Sequence, residues 1–474
     1  MTLIFAWLFA INVLLVALLV RHSRSPRFHR LAGSAVNPLF IFCLLSILFN
    51  IDFIVVWNNP SIEFLEDAAS LSQQTVLEAY ATYTFLFVGA ALGCMAALHV
   101  SPRRGPDARP YALALPDPAA TRSAEIMFAA ALALSIPTLL WFDFHPPQEN
   151  LSYQVVGREA PVLGLATWLI PVAAVLFVAY QPRPFSARGA SMLAVAVVVM
   201  AMSGGARGPV LLLLLIIGVA YASSKRISVL WCALIIPAAA LFLVMSGYFF
   251  RETGNYGSFG DFITSKGGLV ALIFGGEDVS FAKSFAAVYA FAPPLPRMPF
   301  ESLVALLVLP IPRSIFTIKP FGASAAFTQQ MSPVRWEWTK SETLVTGYGD
   351  VYWQFGTVGA FLTVFILGFL WLRFCLLATR SSRHMMVLWA PLMTWWMFIF
   401  VRGDLFNVGL LLWPAMTMIL LHRCVGHMVR HRHSMMKTSA ALALTATHHR
   451  LTRNRERGAA KQLTSPIWSP RREI

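Results

Sequence analysis

The chain has 474 residues, of which 57% are hydrophobic and only 12% charged, and its mean hydropathy is +0.64. This composition excludes an ordinary soluble enzyme and is typical of a protein with many membrane spans. The formal net charge of +15 does not indicate a nucleic-acid partner, because the basic residues are concentrated in short segments between apolar runs, where they indicate membrane topology and attraction to anionic lipids.

Apolar runs along the whole chain predict an all-α polytopic membrane protein with about 11 transmembrane helices. Eight of the predicted spans lie within 1–249 and three within 356–421. Their approximate positions are 2–20, 36–57, 76–100, 124–143, 161–180, 189–203, 209–222, 227–249, 356–378, 385–401 and 406–421.

One long segment, 250–355, separates the two groups of spans and is rich in aromatic residues. It is too long for a passive connection, so we expect a large, partly helical loop. The apolar residues at 281, 285, 288 and 292 repeat at helical spacing and predict a helix with Asp278 as its cap. The apolar run Leu303–Leu309 is too short to span and predicts a re-entrant or interfacial segment.

Most of the 37 Lys and Arg fall on one side of the membrane when the runs are threaded as spans. By the positive-inside rule this side is the cytoplasm. The odd number of spans then puts the N-terminus and the long loop outside and the C-terminus inside. The basic segments are 21–30, 101–123, 181–188, 223–226, 372–384 and the tail 422–474, which lacks sustained hydrophobic periodicity and is expected to be disordered.

The predicted outer face carries several candidate functional residues. In SGGARGP (203–209), glycines allow a tight turn and Arg207 lies beside a helix N-terminus, a combination suited to a phosphate or pyrophosphate; the alternative is an arginine that only snorkels at the turn. Arg313 and Lys319 lie in a proline-framed stretch. Asp350 precedes a span among aromatic residues and is either a functional carboxylate or a helix N-cap.

A fourth group, Arg402 and Asp404, lies between the last two predicted spans, where an ion pair that fixes the turn is the default interpretation. The five cysteines contain no CxxC pair, so neither disulfides nor structural zinc are expected. The His-rich start of the tail matches no metal-site spacing, and the sequence predicts no metal and no cofactor.

The chain resembles the oligosaccharide repeat-unit polymerases, the Wzy-type O-antigen polymerases of Gram-negative bacteria. The resemblance rests on SGGARG between two spans, IPRSIF followed by KP in the outer loop, and GYGDVYWQFGTVG leading into the next span. These motifs cover about residues 190–370, and the span pattern covers the whole chain. One departure is that the family position held here by Asp350 is commonly Glu.

The resemblance implies a bundle like that of C-type glycosyltransferases in the bacterial inner membrane, with the long loop in the periplasm. Such enzymes join glycans carried on undecaprenyl pyrophosphate, and a chain-length regulator is an expected partner. The hydroxyl of an acceptor repeat unit attacks the anomeric carbon of the donor, so a carboxylate must accept a proton and cations must stabilise the leaving pyrophosphate.

On this interpretation the catalytic residues are Asp350 as base, with Arg207 and Arg313 as cations. The remaining candidates for substrate binding are Arg251, Lys319, Arg402, Glu277, Asp278, and the aromatic residues Tyr348 and Trp353 as a sugar platform. Glu277, Asp278 and His145 are alternative bases.

Two other functions fit parts of the sequence. An O-antigen ligase shares the large outer loop and outer-face arginines, but its loop is expected to carry a functional His, and 250–355 contains none. A polyprenyl-glycan flippase or other transporter favours short outer loops and charges buried at mid-membrane, whereas the unusual charges here cluster towards the outer surface.

The predicted orientation can be tested with reporter fusions. A reporter joined at Lys340 should be active only as a periplasmic enzyme, and one joined at Arg450 only as a cytoplasmic enzyme, because the positive-inside rule places these residues on opposite sides. The reverse pattern would contradict every assignment of a residue to the outer face.

Overall fold

The structure, a computed structural model, describes residues 1–58, 61–62, 69–101, 117–141, 161–204, 207–222, 258–265, 281–309, 311, 315–339, 345–380, 383–408, 411–431 and 435. Nearly all of the described residues are helical. The exceptions include a short antiparallel pair, β1 (Ser61–Ile62) and β2 (Ala69–Ser70), in which Ser61 is opposite Ser70.

The α-helices of the described residues are α1 (Thr2–Ser23), α2 (Pro38–Asn58), α3 (Gln73–Val100), α4 (Pro118–Trp141), α5 (Pro161–Tyr180), α6 (Ala187–Gly204), α7 (Arg207–Ala222), α8 (Phe259–Ser265), α9 (Phe281–Phe291), α10 (Glu301–Leu307), α11 (Ala323–Met331), α12 (Pro333–Thr339), α13 (Gly347–Arg380), α14 (Arg383–Arg402) and α15 (Leu405–His431). A 3-10 helix, Pro26–Leu31, follows α1.

Within this part of the chain, seven helices are long and apolar enough to cross a membrane, namely α1, α2, α3, α4, α13, α14 and α15. This confirms an all-α, multi-pass membrane protein. The predicted span at 227–249 lies outside the described residues, so the count of eleven spans stays a prediction.

The helices α3 and α13 pack at unusually close range because small residues face each other. A Cβ on Gly93 would lie 2.1 Å from the carbonyl oxygen of Phe365, and one on Gly368 would lie 2.7 Å from that of Ala90. Gly89 and Gly93 form a GxxxG pattern, which lets two helix backbones approach in a membrane. The packing fixes α13, whose N-terminal end carries Asp350.

Two helix boundaries differ from the predicted spans. The helix α13 begins at Gly347 rather than at 356, with a break at Gly356, whose φ of 64° is a conformation that glycine adopts without strain. The helix α15 continues to His431, so the first part of the predicted tail, from residue 422, is helical. Apolar runs mark where a helix can be in hydrocarbon, and the helix itself extends into the flanking polar residues.

The helix α9 confirms the predicted helix in the long loop. Its residues Phe281, Phe285 and Val288 are buried against the bundle. The predicted cap, Asp278, lies outside the described residues. Inside them, the carboxylate of Asp52 in α2 accepts a hydrogen bond from the backbone N–H of Ala282 at 2.6 Å, so a span supplies a carboxylate at the N-terminus of this loop helix.

Replacing Gly93 by Leu should destabilise the protein by about 1–3 kcal/mol, because the larger side chain has no space between α3 and α13. Leu92→Ala is the matched control, since Leu92 is the next residue of the same helix and is 40% exposed. Thermal unfolding in detergent should show a lower midpoint for Gly93→Leu only. Equal midpoints for the two variants would contradict the close packing.

Candidate functional site

The N-terminus of α13, the C-terminus of α14 and the N-terminus of α15 meet at one end of the bundle. Asp350 lies in the first turn of α13, and it is not the N-cap of that helix. Thr346 has that role, because its hydroxyl accepts a hydrogen bond from the backbone N–H of Gly349 at 3.0 Å. The predicted capping role of Asp350 for its own helix is therefore wrong, and its carboxylate points to other partners.

The carboxylate of Asp350 is completely buried and holds three hydrogen bonds from different parts of the chain. Its Oδ1 accepts from the hydroxyl of Ser302 at 2.8 Å and from the amide of Gln354 at 2.7 Å. Its Oδ2 accepts from the backbone N–H of Leu405 at 3.1 Å, at the start of α15. Asp350 thus joins the long loop, α13 and α15.

The buried cation beside this carboxylate is Arg297, whose side chain is 1% exposed. Its Nη2 lies 3.5 Å from Oδ1 of Asp350 and donates a hydrogen bond to the hydroxyl of Ser302. Its Nη1 lies 3.8 Å from the carboxylate of Glu301. The guanidinium carbon also lies 4.8 Å from the centre of the Trp353 ring, a cation–π distance.

We call the side chains of Arg297, Glu301, Ser302, Asp350, Trp353 and Gln354 the Arg297–Asp350 cluster. It combines one cation with two carboxylates in a site almost closed to solvent; Glu301 is the most exposed of its charged groups, at 25%. Charges this deeply buried are held only by good geometry and additional hydrogen bonds. Among the described residues, the buried Nε of Arg297 has no hydrogen-bond partner, so the cluster leaves this donor unsatisfied.

Asp404, just before α15, is also completely buried and stabilises two helix N-termini. Its Oδ1 accepts from the backbone N–H of Asn407 in α15 at 2.8 Å, and its Oδ2 from that of Ser324 in α11 at 2.7 Å. Both backbone groups would otherwise lack intrahelical partners. Arg402 is the last residue of α14, two residues before this carboxylate.

Lys319 lies in the same loop and is 9% exposed. Its ammonium group donates to the carbonyl oxygens of Leu309 and Ile311 at 2.7 and 3.0 Å. These two bonds join the end of the connection between α10 and α11 to its beginning. In this structure, Lys319 acts on the backbone of its own loop.

The two predicted platform residues lie in different surroundings. Tyr348 is 1% exposed, and its ring makes edge contacts with Phe400 and Tyr83 at centroid distances of 5.3 and 5.5 Å. No face of this ring is available to a sugar. Trp353 belongs to the Arg297–Asp350 cluster, and its indole N–H donates to the carbonyl oxygen of Leu295 at 3.2 Å.

Of the remaining candidates, only the backbone position of Arg207 lies within the described residues. Arg207 is the first residue of α7, as the predicted tight turn before a helix requires. Five candidate residues named in the sequence analysis lie outside the described residues: His145, Arg251, Glu277, Asp278 and Arg313.

Sequence reasoning missed Arg297, although two signals were present. Arg297 is framed by Pro296 and Pro299, the same pattern that singled out Arg313. Glu301 follows it at i+4, a spacing that lets a short helical segment pair opposite charges. What the sequence does not show is that this segment folds onto Asp350, because that contact depends on the packing of the long loop against α13.

The chain matches no family model, no curated protein and no solved structure. Arguments about its function therefore depend on the motifs and on the geometry of this site.

The Arg297–Asp350 pair should show strong energetic coupling. Arg297→Met leaves a buried carboxylate without its cation, which typically costs about 3–5 kcal/mol. Adding Asp350→Asn should recover part of this cost, because no charge then remains uncompensated. Thermal unfolding of the two single variants and the double variant in detergent measures the coupling.

The control is the exposed pair Arg188–Glu125, whose atoms are 3.7 Å apart and whose side chains are 76% and 30% exposed. Arg188→Met should cost less than about 1 kcal/mol. Additive effects at Arg297 and Asp350 would contradict a buried ion pair.

Proposed function

We propose that this protein polymerises oligosaccharide repeat units carried on undecaprenyl pyrophosphate, as a membrane glycosyltransferase of the bacterial inner membrane. The product is an O-antigen or another exopolysaccharide. The observation that carries the proposal is the Arg297–Asp350 cluster, which places a cation, two carboxylates and an indole ring together where loop helices meet several candidate spans. The order of the motifs around Arg207, Arg313 and Asp350 supports the same conclusion.

The proposal includes the finer topology. Eleven spans form a bundle like that of C-type glycosyltransferases, with the N-terminus and the loop 250–355 in the periplasm and the tail in the cytoplasm. The positive-inside distribution of Lys and Arg supports this orientation. The partners are the lipid-linked oligosaccharides, membrane lipids and a chain-length regulator.

In the proposed reaction, an acceptor hydroxyl attacks the anomeric carbon of the donor, the bond to undecaprenyl pyrophosphate breaks, and the hydroxyl proton passes to a carboxylate. The cations stabilise the negative charge on the departing pyrophosphate. Arg297 joins Arg207 and Arg313 as a candidate for this role. It is a planar donor suited to phosphate oxygens, and its Nε has no partner among the described residues.

The cluster offers two carboxylates for the proton. Both oxygens of Asp350 are occupied by hydrogen bonds and the group is fully buried. A base must be within hydrogen-bond reach of the proton that it accepts, so this geometry favours Asp350 as the group that positions Arg297. Glu301 also accepts a hydrogen bond, from the backbone N–H of Met298 at 3.1 Å, but its side chain is 25% exposed, so it is the proton acceptor that the geometry favours.

Deletion of the gene in its native host tests the function directly. Loss of a polymerase leaves single repeat units on the final acceptor, loss of a ligase leaves long polymer on the carrier lipid, and loss of a flippase traps the glycan in the cytoplasm. Only the first result agrees with the proposal. Electrophoresis of the surface glycan and extraction of the carrier lipid distinguish the three results.

The roles of the cluster residues can be separated with purified protein and defined lipid-linked repeat units. Arg297→Lys should lower the rate by about 10²-fold, the effect of losing one preorganised donor. Glu301→Gln should lower it by about 10²–10⁴-fold, since the amide cannot accept the proton. Asp350→Asn should lower it by less, because on this interpretation Asp350 only positions Arg297.

The exposed Arg188→Gln is the control and should match wild type in rate and in membrane level. If Asp350→Asn loses more activity than Glu301→Gln, then Asp350 is the base, as the resemblance implies. Near wild-type rates for all three cluster variants would rule out the site.

A further inference from the structure

The helix α10 has two faces with opposite character. On one face, Ser302, Ala305 and Leu306 are buried, and the hydroxyl of Ser302 belongs to the Arg297–Asp350 cluster. The other side carries large apolar side chains that contact little of the protein. We call these residues the α10 patch: Phe300, Leu303, Val304 and Leu307, which are 58%, 43%, 44% and 59% exposed.

A hydrogen bond joins α10 to the middle of a candidate span. The indole N–H of Trp413 in α15 donates to the carbonyl oxygen of Leu306 at 2.8 Å. Trp413 is the middle residue of the uncharged stretch 405–421, so it lies about 12 Å from either end at 1.5 Å per residue. The C-terminal end of α10 therefore lies beside the middle of this span, away from both of its ends.

Backbone carbonyl groups at the end of α10 and just after it accept hydrogen bonds from side chains of the protein, as a segment away from water requires. The last carbonyl groups of a helix lack intrahelical partners, and inside a bilayer they must be satisfied by the protein. The carbonyl of Leu306 accepts from the backbone N–H of Leu309 at 3.3 Å and also from Trp413, and the buried ammonium group of Lys319 donates to the carbonyls of Leu309 and Ile311. Further along the chain, Ile315 and Ile318 are 76% and 81% exposed.

We infer that α10 is a re-entrant helix whose α10 patch contacts the acyl chains of membrane lipids while its other face completes the Arg297–Asp350 cluster. One short helix thus forms the wall between the cluster and the bilayer. The inference goes beyond the proposed function and does not rest on it, because contact with lipid requires no reaction.

Spin labels test this placement in the full chain reconstituted into liposomes. Cys232→Ser and Cys424→Ser give the parent, in which the buried Cys43, Cys94 and Cys375 remain. Single cysteines are then introduced as Leu303→Cys and Leu307→Cys and labelled. The parent without an added cysteine must show negligible signal.

Two further positions calibrate the measurement. Leu362→Cys reports hydrocarbon, since Leu362 is 56% exposed in the middle of α13. Thr264→Cys reports water, since Thr264 is exposed near the end of α8 and lies outside the predicted spans. Collision with oxygen, which concentrates in hydrocarbon, is compared with collision with a water-soluble nickel chelate.

The labels at residues 303 and 307 should give a ratio of oxygen to nickel accessibility close to that at residue 362 and well above that at residue 264. A ratio like that at residue 264 would mean that the patch faces water and would overturn the inference. Low accessibility to both reagents would also overturn it, because another protein surface would then cover the patch. The readout involves no glycan, so its failure is distinct from failure of the polymerase proposal.

Discussion

Buried carboxylates at helix N-termini connect the loop helices of this protein to its candidate spans, and two of these spans to each other. Asp52 in α2 accepts an N–H of α9, Asp350 in α13 accepts an N–H of α15, and Asp404 accepts N–H groups of both α11 and α15. The first N–H groups of a helix have no internal partners and carry a partial positive charge. A carboxylate accepts hydrogen bonds from these N–H groups, and the bonds offset part of the free energy that burying its charge costs. Because hydrogen bonds are directional, each contact is specific in position and direction.

The position of the Arg297–Asp350 cluster follows from these contacts. The chain before α10 would be free to move if α9 and α11, on either side of it, were not fixed to the spans. With both fixed, Arg297 and Ser302 meet Asp350, and Asp350 in turn contacts the start of α15. A single cation held by a carboxylate, a hydroxyl and an indole ring has little freedom to reorient. Such preorganisation is what electrostatic stabilisation of a leaving group requires.

The sequence predicted what depends on local pattern and missed what depends on distant contacts. Apolar runs gave most of the long helices, and the spacing of Phe281, Phe285 and Val288 gave α9. The partner of the α9 N-terminus, Asp52, is distant in sequence, so no local pattern reveals it. Asp350 was selected as a candidate carboxylate from its neighbours in sequence, whereas its burial and its partners in the loop and in α15 depend on distant contacts. Tyr348 was selected by its neighbours in sequence, whereas helix rotation turns its ring into the core.

The placement of α10 suggests why charges are buried so near to lipid. A carboxylate or guanidinium facing hydrocarbon alone is very costly, and pairing lowers this cost only when hydrogen bonds complete the site. The helix α10 contributes the hydroxyl of Ser302 to the charged cluster and exposes apolar side chains on its opposite face. Two helical turns therefore both complete the hydrogen bonds of the cluster and separate it from hydrocarbon. A substrate with a long hydrocarbon tail and an anionic head likewise has an apolar part, which matches the α10 patch, and a charged part, which matches the cluster. In the proposed reaction the tail would stay beside the α10 patch while the pyrophosphate approaches the Arg297–Asp350 cluster, and the carrier lipid would not have to leave the bilayer.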